Sequence, residues 1–386
     1  MGKHAGINRL LARYGPGVPE IDPMTLLLLL AGCDLLPTAE PPPAPPPPAP
    51  MTAQASPADK APGGPGGRSL VAASATVTNP TSGANLAVYV STPTTGTGPW
   101  PTLVVVPGGF QAGMQNMPPD RQTPYLETGF ALVVWDPDGR GNSTGTEDRG
   151  GAIHQDGLKA VIDWAKKDSR VDPNRLGVMT FSFGITIGAG TLARFQDTGA
   201  KFLLDWEGPA NRNYTHGCGT QQTGQPETND AIEAGWGECT DDVYWQFREG
   251  STSIKNVTVP YLRVQFQKDH VQPTHQHAVD MMVAAQSGGN AWTRINDEPV
   301  NKRITSEADF TTLSNTKPQP FVMAHYAKEM MELTTKQTVV GNEPAMPERP
   351  AGGRPGGQGG GGRAPGQGGG RPPGGAGGEG QRPQRP

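Results

Sequence analysis

"DGLKAVIDWAKKDSRVDPNRLGVMTFSFG", residues 156–184, decides the fold. Its first half keeps a helical period, with Leu158, Val161, Ile162 and Ala165 on one stripe. The Asp172-Pro173-Asn174 run then ends the helix, because proline lacks an N–H and restricts the residue before it. Leu176 to Phe181 reads as a strand without polar alternation, the pattern of a strand buried on both faces. After Ser182, "FGITIGAGTLARF" (183–195) is rich in small residues and reads as a helix packed closely on a sheet. Helix, turn, buried strand, sharp turn, helix is the grammar of an α/β protein.

The same alternation extends outward. "ATVTNPTSGANLAVYVS" (75–91) gives a strand, a turn and a strand. "WPTLVVVPGGF" (100–110) and "GFALVVWDPDGRGNSTG" (129–145) are buried strands that run into Gly-rich loops. Downstream come a strand at 201–208, a long polar segment at 209–256, and a strand at 259–269. A helix over about 274–286, a short strand at 291–296 and a closing helix over 321–333 follow. This order predicts a mostly parallel, doubly wound sheet with its ligand site at the carboxyl ends of the strands. The expected domain spans 69–340, with 209–256 as a lid-like insertion.

The two ends of the chain differ from this core. The chain has 386 residues, of which 54 are Gly and 41 are Pro, mostly in two clusters. Residues 34–68 form a Pro/Gly-rich linker, and 341–386 a tail of Gly, Pro, Arg and Gln. Neither holds enough apolar residues to offset the entropy of ordering, so both are expected to be disordered. The net charge of −4 argues against a nucleic-acid partner. There is no apolar run of 18 residues, so no ordinary transmembrane helix is expected.

Cysteine usage adds a compartment. Residues 1–33 end in "LLLLLAGC", behind the basic residues Lys3, Arg9 and Arg13. Leu30-Ala31-Gly32-Cys33 resembles the lipobox of bacterial lipoproteins. That resemblance implies lipidation of Cys33, a membrane anchor and residence in the cell envelope. Cys218 and Cys239 lie in a polar, Gly-rich segment, and in an exported protein such a pair often forms a disulfide.

Ser182 raises the question of chemistry. A serine hydroxyl becomes a nucleophile only with a base, an acid that orients the base, and donors for the oxyanion. A strand-to-helix turn of the G-x-S-x-G type exposes it, and small residues at both flanks let the turn close. Here the turn is Thr180-Phe181-Ser182-Phe183-Gly184, with Thr in place of the first Gly.

Taken together, residues 100–335 resemble the α/β-hydrolases, in particular the dienelactone hydrolase and prolyl-oligopeptidase-like branch. The stretches that carry this are "VVVPGGF", "DPDGRGNSTG", the 156–184 block and "VPYLRVQFQKDHVQP" (259–273). The resemblance implies an α/β-hydrolase fold and a serine hydrolase acting on a small ester or amide, without metal or other cofactor. It implies Ser182 as nucleophile, Phe183 N–H as one oxyanion donor, and Gly109 or Phe110 as the other. It implies Asp269 as the acid and a histidine after the acid in chain order. His325, after the last strand, is the expected base. His270 and His277 are the alternatives, with His270 disfavoured because it adjoins Asp269. Asp136 and Asp138 are expected to shape the loop around Arg140. Asp205 and Glu207, at a strand end, could contact substrate, bind a cation or cap. A second function class, a ligand-binding protein without catalysis, follows if no base faces Ser182.

Overall fold

The computed structural model describes residues 74–216, 218 and 236–342. The chain divides into two units, Met1–Lys60 and Ala61–Pro386. The expected leader with Cys33, the linker and nearly all of the tail lie outside the described residues.

Eight strands form one sheet among the described residues: β1 (Ala75–Thr78), β2 (Asn85–Ser91), β3 (Trp100–Val106), β4 (Ala131–Trp135), β5 (Val171–Phe181), β6 (Leu203–Trp206), β7 (Tyr261–Val264) and β8 (Thr293–Ile295). Their order is β1-β2-β4-β3-β5-β6-β7-β8. The first two pairings are antiparallel, and all those from β4 to β8 are parallel. The helices are α1 (Gly113–Asn116), α2 (Pro119–Glu127), α3 (Ala152–Ala165), α4 (Ile185–Arg194), α5 (Arg212–Thr215), α6 (Asp242–Trp245), α7 (Gly250–Ile254), α8 (Gln276–Gln286) and α9 (Gln319–Thr335). Among the described residues no helix is long and apolar enough to cross a membrane.

Alternate strand residues feed two cores, because successive side chains of a strand point to opposite faces. Val104, Val106, Val133 and Val178 join α3, α4 and α8 on one face. Leu103, Val105, Val134 and Met179 join α2 and α9 on the other. Both faces are covered, which is why these strands read as continuous apolar runs. The fold is that of the α/β-hydrolases. One detail differs from the sequence reading. Residues 172–175 are an irregularity inside β5 rather than a turn before it: Trp100 pairs with Val171, and Thr102 with Leu176.

Candidate active site

The site lies where β5, β6 and β7 end. Phe181 closes β5 in extended geometry, and Ser182 then takes φ +49°, a value that L residues rarely adopt. A single 3₁₀ turn, Ser182–Gly184, leads into α4. Close packing explains Gly184, since a Cβ there would stand 2.7 Å from the Pro107 carbonyl oxygen. Gly108 is pressed against the same turn, its would-be Cβ 2.7 Å from the Phe181 carbonyl oxygen.

Thr180, the departure from the usual motif, is accommodated from the helix side. A Cβ on Gly188 of α4 would lie 2.3 Å from Thr180 Cγ2, so the methyl occupies the space that Gly188 leaves. The hydroxyl donates to Asp205 Oδ1 at 3.2 Å. The small residue that the turn requires has moved from the strand to the facing helix.

Ser182 Oγ lies 2.8 Å from His270 Nε2, and His270 Nδ1 lies 2.8 Å from Glu207 Oε2. Glu207 follows β6 with φ +49°. Its side chain is buried and also accepts from the backbone N–H of Phe266 at 3.0 Å and of His270 at 3.2 Å. Strain of this kind persists where surrounding structure enforces it, and here it occurs at two of the three groups. The imidazole stacks on Trp206, with ring centres 4.4 Å apart. Because Glu207 Oε2 accepts, the network assigns the proton to Nδ1, leaving Nε2 to receive the serine proton.

His325 is not brought to Ser182. It lies on α9, stands edge-on to Tyr326, and lines a small cavity with Asp297, Leu313 and Lys317. Asp269 is close but is not the main partner of the base. Its Oδ1 lies 3.4 Å from His270 Nδ1, while its Oδ2 faces His277 Nε2 at 3.0 Å. In chain order the three groups run serine, carboxylate, histidine, and the carboxylate and imidazole beside Ser182 each come from one strand earlier than the expected Asp269 and His325. The sequence reading kept His270 as a disfavoured alternative because it adjoins Asp269; its nearest carboxylate is Glu207, which reaches it from the neighbouring strand. The available signal was a carboxylate directly after a buried strand, in "LLDWEGP".

The other candidates have structural partners. Asp205 is fully buried, bonded to Arg263 Nη1 at 2.8 Å and Tyr261 OH at 2.9 Å. Asp136 takes Tyr89 OH and the N–H groups of Gly113 and Asn142. Asp138 binds Asn79 and Ser82. Arg140 forms a two-point pair with Glu147 and donates to the Gly109 carbonyl at 2.9 Å. A trans peptide points its N–H away from its carbonyl, so Arg140 also sets the direction of the Phe110 N–H.

Electrostatics separate the two carboxylates. Burial raises the pKa of Glu207, and the nearby Asp269 charge raises it further. Burial opposes ionisation of Asp269 as well, yet its bonds to His277 and Gln265 and the charge of His270 hold it well below the carboxylate range. For His270, burial works against the imidazolium; Glu207 and Asp269 outweigh it and raise the pKa. Glu207, Asp269 and His270 also lie close enough to share a metal ion, but His270 Nδ1, the nitrogen that faces both carboxylates, is bonded to Glu207 Oε2 at 2.8 Å. His216, Cys218 and Cys239 form another such group, in which the two sulfurs are joined as a disulfide.

The segment expected to act as a lid reaches the site through Trp236. Its ring is 6.0 Å from Phe110 and 5.4 Å from Phe183, and it stacks on Trp245 at 5.3 Å. The Arg149 guanidinium lies over both Phe110 and Trp236. The Cys218–Cys239 disulfide ties this segment to the end of α5.

Comparison with known proteins gives the following. Residues 82–198, less than half of the chain, match the family model of X-Pro dipeptidyl-peptidases (S15 family). No curated protein matches the chain by sequence. Among solved structures, puromycin hydrolase is similar at 16% identity and TM-score 0.50, over 68% of this chain and 38% of that one. The esterase Est1E of Butyrivibrio proteoclasticus, solved with ferulic acid, is 16% identical over 66% of this chain and 97% of its own, with TM-score 0.47. A 2,6-dihydroxy-pseudo-oxynicotine hydrolase is 14% identical over 68% of each chain, with TM-score 0.48.

Proposed function

We propose that this chain, an α/β-hydrolase by fold, is a serine hydrolase that cleaves an ester or amide bond through an acyl-enzyme on Ser182. The observation that carries the proposal is the Ser182–His270–Glu207 geometry, with both links at 2.8 Å. His270 Nε2 takes the proton from Ser182 Oγ as the oxygen attacks the carbonyl carbon. Glu207 holds the Nδ1 proton and offsets the charge of the imidazolium. The imidazolium then protonates the leaving alcohol or amine, and the C–O or C–N bond breaks. Water attacks the acyl-enzyme, giving one proton to His270, and the acid leaves as Ser182 regains its proton. The N–H groups of Phe183, at the amino end of the helical turn, and of Phe110, in the loop held by Arg140, are the proposed oxyanion donors. Gly109 supplies the φ of +52° that this loop needs.

Reaction with a fluorophosphonate probe tests the proposal. The native protein should be labelled on Ser182, and Ser182→Ala should lose both label and esterase turnover. Absence of label on folded protein would instead assign the cleft to ligand binding without catalysis. We also propose that the protein is exported and anchored in the cell envelope by lipid on Cys33. The Cys218–Cys239 disulfide supports an oxidising compartment. Cys33→Ser should abolish incorporation of labelled fatty acid.

A further inference from the structure

We infer that Asp269 is a second carboxylate of the site, a positioning residue that holds His270 by charge while Glu207 accepts the Nδ1–H hydrogen bond; this rests on the triad proposed above. His270 Nδ1 carries one proton and faces two carboxylates. Glu207 Oε2, at 2.8 Å, is within hydrogen-bond range; Asp269 Oδ1, at 3.4 Å, acts on the ring as a nearby charge.

Asp269 is fixed from every side for this task. Oδ1 accepts the backbone N–H groups of Val271 and Gln272, both at 2.8 Å. Oδ2 accepts Gln265 Nε2 at 2.9 Å and faces His277 Nε2 at 3.0 Å. His277 Nδ1 meets both the Arg263 Nη2 donor at 3.1 Å and the Gly208 carbonyl at 3.3 Å, and its Nε2 edge is turned to Asp269. Burial, with the Arg263 charge, keeps His277 neutral by lowering its pKa. Arg263 pairs with Asp205, which accepts from Thr180 two residues before the nucleophile. A buried chain, His270–Asp269–His277–Arg263–Asp205–Thr180, thus runs behind the triad and returns to the strand that bears Ser182. Gln265 is itself clamped by Asn296, which accepts its N–H and donates to its carbonyl.

The charged groups around His270 are few. Glu207 faces it from the end of β6, Asp269 from its own loop, and Arg263 acts from β7 in the opposite sense. Trp206 covers a ring face without charge. Removing the Asp269 charge should therefore make the imidazolium less stable, by about one pH unit for a carboxylate at this range.

The test is the pH dependence of kcat/KM for a p-nitrophenyl ester, with fluorophosphonate labelling as a second readout. Asp269→Asn should move the acid limb about one unit to lower pH and reduce the plateau by less than about tenfold. Glu207→Gln should lower the plateau by about 10³–10⁴-fold, the scale of losing a triad acid. A loss with Asp269→Asn as large as with Glu207→Gln, or an unmoved acid limb, would overturn the inference. Carboxyl ¹³C NMR of the wild-type protein keeps the test open if the variant fails to fold. Asp269 should titrate below Glu207, and the reverse order would sink the idea. Failure of the triad itself would show separately, as turnover retained by Ser182→Ala.

Discussion

Replacing Gly188 by Ala tests how the turn at Ser182 tolerates a threonine. The new Cβ would stand 2.3 Å from Thr180 Cγ2, far inside ordinary contact. Its next neighbours, Leu203 Cδ1 and Val178 Cγ1, are at 3.6 Å and already suitable. Overpacking of a filled core costs about 1–3 kcal/mol. Ala returns about 1 kcal/mol of helix propensity within α4. Gly188→Ala should therefore destabilise the wild-type protein by up to about 2 kcal/mol, with about 1 as the central value. Thr180→Ser removes the offending methyl and keeps the hydroxyl on Asp205, at about 0.8 kcal/mol for the lost methyl. On that background Gly188→Ala should become neutral or stabilising by up to about 1 kcal/mol. The coupling between the two sites is then about 2 kcal/mol, read from denaturant midpoints at constant m. Esterase kcat/KM should follow, lowered by Gly188→Ala alone and recovered in the double variant, because displacement of Thr180 tilts the serine. An equal cost of Gly188→Ala in both backgrounds would refute the steric account.

Three further outcomes are expected. His270→Ala should abolish esterase turnover, whereas His325→Ala should stay within about twofold of wild type; the opposite pattern would return the base to α9. The rate should fall as pH drops through the raised pKa of His270, because an imidazolium cannot take the serine proton, so the acid limb should lie above about pH 6.5, the ordinary histidine value. Reduction of Cys218–Cys239, which closes 21 residues of chain, should release about 3 kcal/mol of local restraint. Limited proteolysis should then cut faster between Gly208 and Glu249, and equal protection would mean that the disulfide restrains nothing there.

The sheet was legible because burial on both faces leaves its mark in composition. Val104, Val105, Val133 and Val134 announce strands without any knowledge of their partners. Helix α2 is harder to see, since Pro119 and Pro124 are helix breakers by propensity; Pro119 is tolerated at the first turn, where its N–H is not needed. Ser182 was legible from the strand before it and the small-residue helix after it. Its partners were not. Neighbourhood along the chain counted against His270, yet the contact it makes joins residues 63 apart, Glu207 and His270, from adjacent strands. Thr180 shows the same limit: its compensation lies on a helix, eight positions on, and becomes visible only when strand and helix are packed.

Ser182, Glu207 and His270 follow β5, β6 and β7, which are consecutive strands of one hydrogen-bonded ladder. Backbone hydrogen bonds therefore fix the strands that lead to these groups relative to one another. Trp236 is held in another way, by ring contacts with Phe110, Phe183 and Trp245, by the Arg149 guanidinium above it and by the disulfide at Cys239. In the proposed hydrolase the sheet thus sets the geometry of the reacting groups, and an aromatic wall tied by a disulfide sets the shape of what can meet them.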